Sequence, residues 1–334
     1  LSSQSQGAKV LWTVRNEPWI WEKTTYFFTA HTYIAFTLTC EYVLDHRTAS
    51  MFDPMYSPKT QDWIPEWCEM CAPGLALPEL KYSNDIAGYV TSAGAKMTGL
   101  PEGIPIGMGS TDSACEAISV GVKDPGDVMM MYGSTMVAEL IADKFMSHRN
   151  LWACTGPYRG TNTLVGGLSA SGSLTTWLKD LLGGTEYAVL TEEAADVPAG
   201  SNGLLALPYF AGERAPIIDP LARGVIAGLT LSTTRGELYR ALLEAATFGA
   251  RHLIESIQEA GGEGKRFIAV GGGTKGGLWT QIVSDVCGVE QVIPKRTIGA
   301  SYGDALISAQ NVGEADESTS WMKPSSIVLP DPDN

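Results

Sequence analysis

The sequence lacks any apolar run long enough to cross a membrane. Its longest apolar stretches, such as 203–211, are interrupted by proline or glycine, and none reaches the roughly 18 residues that a membrane-spanning helix needs. Positive charge is also scarce, because 23 lysine and arginine residues stand against 37 aspartate and glutamate residues, for a net charge of −14. We therefore expect neither a membrane protein nor a broad nucleic-acid-binding surface.

Histidine and cysteine are too few and too scattered to indicate a metal site. The four histidines are isolated, and Cys68 and Cys71 form one C-x-x-C pair without a second pair or histidines at matching spacing. We predict packing or surface roles for the histidines and free thiols for the cysteines, hence a cytoplasmic protein. The 334 residues, of which 44% are hydrophobic, suit a globular chain of about two domains.

The first residues, LSSQSQGAKVLW, contain no methionine and none of the basic and apolar regions of a signal peptide. We expect that the sequence joins a longer protein part-way through. Residues 10–30 read as helical and rich in aromatics, with a break at 16–18. Short helices and proline-rich loops follow over 31–100, then a short strand at 104–108 and a small-residue helix at 113–122.

From residue 128 onward, strand patterns alternate with helix patterns, which predicts α/β layers. The apolar runs 128–132 and 136–141 read as a hairpin whose tip is Gly133-Ser134-Thr135. Thr234 and Glu237 form a capping box that begins a long helix, with an apolar face made by Leu238, Leu242, Ala245, Phe248 and Leu253. The remaining predictions are strands at 163–167, 266–270 and 291–294, and helices at 171–182 (with Trp177 on the buried side), 278–286 and 302–310.

A glycine run, VGGGTKGG, follows the strand predicted at 266–270. Gly271, Gly273 and Gly276 satisfy G-x-G-x-x-G, the pattern of a dinucleotide-binding turn. The next strand is followed by Lys295 and Arg296, whereas a dinucleotide fold needs an acid there to hold the ribose. The pattern leaves open a dinucleotide site, another nucleotide site and a structural turn.

Asp112, in the stretch GMGSTDSACE, lies between an apolar strand and a small-residue helix. It suits a helix cap or first-turn acid, and equally a carboxylate that accepts a proton. The Gly133-Ser134-Thr135 tip has two interpretations as well, since it could donate to phosphate oxygens or be an ordinary turn. No G-x-x-x-x-G-K-[ST] occurs, and GLSASG falls short of the nucleophile-elbow pattern.

Taken in order, these segments resemble the FGGY family of carbohydrate kinases from about Gly7 to Gly313. The matching segments are GAKVLWTVRNEPWIWEKT, GSTDSACEAISVGVKDPGD, YGSTMV, PYFAGERAPIIDPLARGVIAGLTLSTTRGELYRALLEAATFGAR and VGGGTKGGLWTQIVSDVCG. The resemblance implies two ribonuclease-H-like (actin-like ATPase) α/β domains, the first one incomplete. We assign residues 1–122 to the C-terminal portion of the first, sugar-binding domain and residues 123–334 to the second, nucleotide-binding domain.

The resemblance also implies an ATP-dependent, Mg²⁺-assisted phosphorylation of a sugar hydroxyl. Asp112 takes the position of the general base and borders the sugar. The nucleotide positions carried over are Gly133, Ser134 and Thr135, then Gly172 and Ser173, then Gly272, Gly273, Thr274 and Gly276. Glu213, Arg214, Asp219 and Arg223 fall in segments that we interpret as scaffold.

Within the family, NEPWIWEKT, GERAP and GGGTK look closest to the xylulokinases, so we expect a pentulose such as xylulose, with ribulose and glycerol as alternatives. The family's first phosphate loop, a D-x-G-T segment, is not found. We therefore expect that this chain alone is not a competent kinase, being either a fragment or a degenerate, non-catalytic homologue that binds nucleotide or sugar. An NAD-dependent oxidoreductase is a third hypothesis, and a homodimer is left open.

Overall fold

The computed structural model describes residues 5–334 as helices and small sheets followed by one large mixed sheet. The helices are α1 (Gln6–Asn16), α2 (Pro18–Trp21), α3 (Ala30–Thr39), α4 (His46–Ala49), α5 (Pro65–Cys71), α6 (Ser92–Thr98), α7 (Asp112–Ser119), α8 (Gly172–Leu181), α9 (Tyr187–Ala195), α10 (Arg235–Glu259), α11 (Leu278–Cys287) and α12 (Ala300–Asn311). The strands are β1 (Val43–Asp45), β2 (Tyr56–Ser57), β3 (Asp62–Trp63), β4 (Glu79–Lys81), β5 (Ile86–Tyr89), β6 (Pro105–Gly107), β7 (Asp127–Tyr132), β8 (Met136–Ala142), β9 (Trp152–Thr155), β10 (Asn162–Gly167), β11 (Leu205–Leu207), β12 (Val225–Ala227), β13 (Arg266–Val270), β14 (Gln291–Pro294) and β15 (Pro324–Val328).

The large sheet has the strand order β15-β14-β13-β7-β8-β10-β9. Strands β7, β13 and β14 run parallel, and the other neighbours pair antiparallel. The predicted hairpin is confirmed as β7–β8, with Tyr132 paired to Met136 across its three-residue tip. Three parallel strands are too few for the two mononucleotide halves of a dinucleotide fold. The glycine run after β13 therefore lies in a different architecture.

The strands β7, β8, β10 and β13 are buried on both faces of the sheet, and alternate residues of each strand face opposite sides. On β7, Val128, Met130 and Tyr132 join the larger apolar core under α8, α9, α10 and α11, whereas Met129 joins a smaller core with Ala117 of α7. Helix α12 packs on α7 so closely that a Cβ on Gly303 would collide with the carbonyl oxygen of Cys115. The glycine thus allows the two backbones to touch.

Residues 5–107 form short helices and three two-stranded sheets, β1–β4, β2–β3 and β5–β6. Aromatic rings fill much of this region, for example Phe27 against Phe52 with ring centroids 4.8 Å apart. Within residues 5–334, no helix has the length and apolar character required to cross a bilayer. The domain boundary at 122/123 stays a prediction.

Several local predictions are confirmed and three are wrong. The capping box forms, since Thr234 N donates to Glu237 Oε2 at 2.7 Å and Glu237 N donates to Thr234 Oγ1 at 3.2 Å. Trp177 is 39% exposed and Phe248 is 47% exposed, so neither lies on a buried face. Residues 22–29 are not helical. Apolar periodicity identifies a helix face, but whether a neighbour covers each position depends on tertiary packing.

Candidate active site

The hairpin tip and the glycine run meet at one edge of the sheet. The tip, Gly133–Thr135, follows β7, and the glycine run follows β13, which is the parallel neighbour of β7. The carboxyl ends of parallel strands share an edge, where open α/β sheets bind their ligands. A Cβ on Gly271 would stand 2.6 Å from the carbonyl oxygen of Tyr132. The glycine run therefore contacts the last residue of β7, directly before the tip.

The hairpin tip rests on the beginning of α8. The amide nitrogens of Ser171 and Ser173 donate to Ser134 O at 3.0 and 3.1 Å, and Gly172 N donates to Gly133 O at 3.0 Å. A side chain on Gly172 would collide with Gly133 O. The structure thus brings together both predicted phosphate segments, although these amides of α8 are already used by the tip.

The tip keeps its hydroxyl groups available. Within the described part of the chain, Ser134 and Thr135 make no side-chain hydrogen bond, and Ser134 is exposed. An unpaired hydroxyl at such a position can donate to a phosphoryl oxygen of a ligand. The tip therefore offers donors but no positive charge.

The glycine run forms a 3-10 turn, Gly272–Thr274, before α11. Gly273 has no room for a side chain, because a Cβ would lie 2.7 Å from the Trp279 ring. Thr274 Oγ1 donates to Gly271 O at 2.8 Å, so its hydroxyl closes the turn. Gly272 faces open space, and Gly276 has a φ of 88° near Thr191. This surface can approach a flat ligand through its backbone.

Asp112 is the first residue of α7, and its side chain is exposed. Its Oδ1 accepts a hydrogen bond from Ser113 N at 2.8 Å, and Thr111 is the N-cap residue. One turn later, burial raises the pKa of Glu116, and the charge of Asp112 raises it further. Asp112 therefore combines a first-turn position, which the helix dipole favours, with a carboxylate open to a ligand.

A buried carboxylate, Asp45, holds the segment that leads into Asp112. Its Oδ2 accepts from Ser110 Oγ at 2.7 Å and from Thr48 N at 3.0 Å, and its Oδ1 lies 3.0 Å from His31 Nε2. Asp45 has no exposed surface, and His31 is partly exposed. Sequence analysis missed this group, since 65 residues separate Asp45 from Ser110 and no local pattern links them.

Arg47 is the second residue that sequence analysis missed. This arginine is almost fully buried, and its Nη2 lies 3.0 Å from Glu139 Oε1 on β8. Its guanidinium also donates to Thr163 Oγ1 on β10 and, at 3.5 Å, to Ser113 Oγ. Helix α4 is thereby joined to the large sheet and to the residue that follows Asp112.

The segments interpreted as scaffold bond mainly to backbone. Glu213 Oε1 accepts from the amides of Ser169 and Arg214 at 2.7 and 2.8 Å. Arg214 donates to Leu168 O at 2.8 Å, and Glu213 and Asp219 pair through their main chains. Arg223 donates to the carbonyl of Ala222. These contacts hold Glu213 and Arg214 against the loop after β10.

The histidines occupy packed, hydrogen-bonded or exposed positions. All six cysteines are free, and burial raises the pKa of Cys68 to about 11. Among residues 5–334, no three histidine, cysteine or carboxylate side chains come together as a metal site. His46 is buried against Tyr56, and burial lowers its pKa. His31 contacts Asp45 in the segment that supports Ser110.

Comparison with known proteins gives matches over nearly the whole chain. The models for the N-terminal and C-terminal domains of the FGGY family of carbohydrate kinases match residues 1–119 and 129–311. A xylulose kinase of Staphylococcus epidermidis is 29% identical over 308 residues, which cover 91% of this chain and 62% of that protein. A ribulokinase of Mycolicibacterium smegmatis is 32% identical over 248 residues, covering 69% of this chain and 44% of that protein.

The fold has similar solved structures. The crystal structure of xylulose kinase from Rhodospirillum rubrum superposes with a TM-score of 0.91 at 30% identity. The match covers 99% of this chain and 69% of that one. The chain thus spans about three fifths of the length of the curated xylulose kinase that it matches.

Proposed function

Because the chain belongs to the FGGY family of carbohydrate kinases, we propose that it acts in the transfer of the γ-phosphoryl group of ATP to a sugar hydroxyl. The observation that carries this proposal is the meeting of three small-residue segments, 133–135, 171–173 and 271–277, at one sheet edge. Helix α7, which begins with Asp112, packs on the same sheet. The segments proposed to bind phosphate and the helix that carries the exposed carboxylate are thereby supported by the same sheet.

Each segment has a role in this proposal. The hydroxyls and amides of the tip bind phosphoryl oxygens, and the backbone of 272–276 borders the adenosine, where side chains are absent or folded away. Gly172 and Ser173 hold the tip in place through its carbonyl groups. Mg²⁺ would supply charge neutralisation to the triphosphate, and the exposed carboxylate and hydroxyl oxygens present here are the ligand type it prefers.

Asp112 is proposed as the general base. A sugar hydroxyl is a weak nucleophile while protonated, and a carboxylate within hydrogen-bonding distance can accept that proton as the oxygen attacks phosphorus. Such assistance is typically worth about 10²–10⁴-fold in rate. The solvent-exposed side chain and the support of Ser110 by Asp45 fit this role.

We propose a pentulose such as xylulose as the acceptor. The 30% identical solved structure and the 29% identical relative are both described as xylulose kinases, and this supports the choice. A ribulokinase is similarly related, so ribulose is the first alternative, with glycerol after it. A cytoplasmic location and a homodimer stay predictions.

The test measures ADP release by the full 334-residue chain with ATP, Mg²⁺ and, in turn, D-xylulose, D-ribulose and glycerol. Turnover that depends on the pentulose and falls at least about 100-fold in Asp112→Asn supports the proposal, and it overturns the expectation that this chain alone is not a competent kinase. ATP binding by calorimetry without any sugar-dependent turnover would instead support a nucleotide-binding, non-catalytic homologue. Binding of NAD but not ATP would refute both.

A further inference from the structure

A cavity of about 360 Å³ lies between α9, α10 and α11. It is lined by residues 195–199 at the end of α9, by Arg240 of α10 and by one face of α11. None of the residues proposed above to bind ATP or the sugar belongs to this lining. The volume suits a small molecule. We call this space the α9–α11 cavity.

Arg240 is built into the wall of the α9–α11 cavity. The residue is 7% exposed, and its Nε donates to Glu244 Oε1 at 2.9 Å. The two Nη groups carry four further N–H donors, and none of them makes a hydrogen bond within residues 5–334. Buried donors without partners cost free energy, so an acceptor that enters the cavity and binds them is favoured.

Glu244 holds Arg240 in this position without using the Nη groups. Its Oε1 also accepts from Gly200 N at 3.1 Å, and its Oε2 accepts from Ser201 Oγ at 2.9 Å. The carboxylate is therefore fixed by three donors and compensates the charge of the guanidinium. The planar fork of the arginine is thereby preorganised for a ligand.

The same cavity is lined by two carboxylates. Asp196 is the exposed C-cap residue of α9, and in the part of the chain that the structure describes its side chain makes no hydrogen bond or ion pair. The helix dipole disfavours an acid at this end, so helix stability does not account for Asp196. Asp285 of α11 accepts from Gln281 Nε2 at 2.7 Å. Among the described residues, no ion pair joins either aspartate to Arg240.

This combination of charges determines the kind of ligand that the cavity favours. A phosphate or carboxylate group would be repelled by Asp196 and Asp285, and an ammonium group would be repelled by the guanidinium of Arg240. A hydroxyl group carries no charge, and it both donates to a carboxylate and accepts from a guanidinium. A neutral molecule with several hydroxyl groups therefore satisfies both sides.

We propose that the α9–α11 cavity binds a neutral polyhydroxylated molecule, a sugar or a polyol. Arg240 donates to its hydroxyl oxygens, and Asp196 accepts from its hydroxyl groups. Val197 and Ile282, which also line the cavity, contact its C–H groups. This site goes beyond the proposed kinase function, since it is a second carbohydrate site apart from the one beside Asp112.

The experiment is a titration of the ¹⁵N-labelled full chain, followed by amide NMR. The probes are D-sorbitol, D-gluconate and D-glucamine, which share one carbon skeleton and differ at one end in being neutral, anionic and cationic. Amides of 195–199 and 278–285 report on the α9–α11 cavity, and amides of 110–112 and 133–135 report on the candidate active site. We expect saturable shifts of the cavity signals, with sorbitol binding more tightly than either charged probe.

Two variants test the named contacts. Arg240→Lys keeps a positive charge beside Glu244 but removes the Nη fork, and Asp196→Ala removes an exposed acceptor. Glu192→Ala is the matched control, because Glu192 is exposed on α9 one turn earlier and does not line the cavity. We expect sorbitol affinity at the cavity to fall about ten-fold in each variant and to stay unchanged in the control. Circular dichroism checks that the variants fold.

Several results would overturn this inference. The cavity signals would show no saturable shift with any probe, or a charged probe would bind there more tightly than sorbitol. Asp196→Ala binding sorbitol like the parent would also contradict it, and this exposed position keeps the test valid if Arg240→Lys unfolds. Shifts confined to 110–112 and 133–135 would place sorbitol in the candidate active site alone, which removes the second site and leaves the kinase proposal standing.

Discussion

At the scale of single residues, Asp112 and Glu116 are coupled on adjacent turns of α7. Burial is the larger cause of the raised pKa of Glu116, and the charge of Asp112 adds to it. We predict that Asp112→Asn lowers the pKa of Glu116 by removing that charge. NMR titration of the glutamate side-chain carbonyls measures this, with the exposed Asp143→Asn, on the loop after β8, as the control that leaves Glu116 unaffected.

The same coupling determines the direction in which the free energy of unfolding changes with pH. Since the pKa of Glu116 is higher in the folded chain than in the unfolded one, the folded chain binds the proton more tightly. The stability that Glu116 contributes is fully present below its pKa in the unfolded chain. It is lost as the pH rises through its pKa in the folded chain. In Asp112→Asn the loss should be smaller. A parent and a variant with identical pH–stability curves would contradict the coupling.

Asp45 is the residue on which the segment before Asp112 depends. Its carboxylate accepts hydrogen bonds from Ser110 Oγ and Thr48 N and contacts His31 without any exposure to water. We predict that Asp45→Ala lowers the free energy of unfolding by about 2–3 kcal/mol, because buried donors lose their acceptor. Ser110→Ala, which removes one of these bonds, should cost about 1 kcal/mol in the same urea titration. Equal effects of the two substitutions would contradict a shared acceptor.

At the scale of elements, the contact between the β7–β8 hairpin and α8 is set by a single glycine. A Cβ on Gly172 would collide with Gly133 O, whereas a Cβ on Gly272 would meet nothing within 4 Å. We predict that Gly172→Ala displaces the tip and costs about 1–3 kcal/mol, as overpacking does. Gly272→Ala, the matched control, should leave the urea midpoint unchanged. A tolerated Gly172→Ala would show that the tip is not seated on α8.

The sequence predicted these elements correctly where the pattern involves only neighbouring residues. The capping box of α10 depends on two residues three positions apart, and the hairpin depends on two apolar runs that flank a short tip. Trp177 and Phe248 are exposed despite their helical spacing. The ring centroids of Trp177 and Phe210 lie 4.8 Å apart. Phe210 belongs to a loop, and helical periodicity does not predict where a loop will pack.

At the scale of the whole molecule, Arg47 and Glu139 join α4 of the first part of the chain to β8 of the large sheet. Both side chains are buried, and Glu139 has no exposed surface. Arg47 Nη2 and Glu139 Oε1 lie 3.0 Å apart, which is within the distance of an ion pair. Within the described residues, however, neither carboxylate oxygen of Glu139 makes a hydrogen bond of good geometry. Glu139 therefore relies on the charge of Arg47.

We predict that Arg47→Met lowers the free energy of unfolding by about 3–5 kcal/mol, because it leaves a buried carboxylate without a counter-charge. The double variant Arg47→Met/Glu139→Gln should regain much of the loss. The control is Arg251→Met, which removes an exposed pair with Glu255 and should cost no more than about 0.5 kcal/mol. A double variant as unstable as the single one would mean that packing, not charge, dominates at Arg47.

The chain's own residues set the α/β class, the hairpin, the capped helix and the small-residue loops, because apolar period and turn chemistry act over a few neighbouring positions. The ordered segments also indicated the family, which the comparisons confirm. Folding was needed to bring Asp45 to Ser110 and Arg47 to Glu139. Those contacts join residues tens of positions apart, and only strand order and packing determine which distant side chains meet.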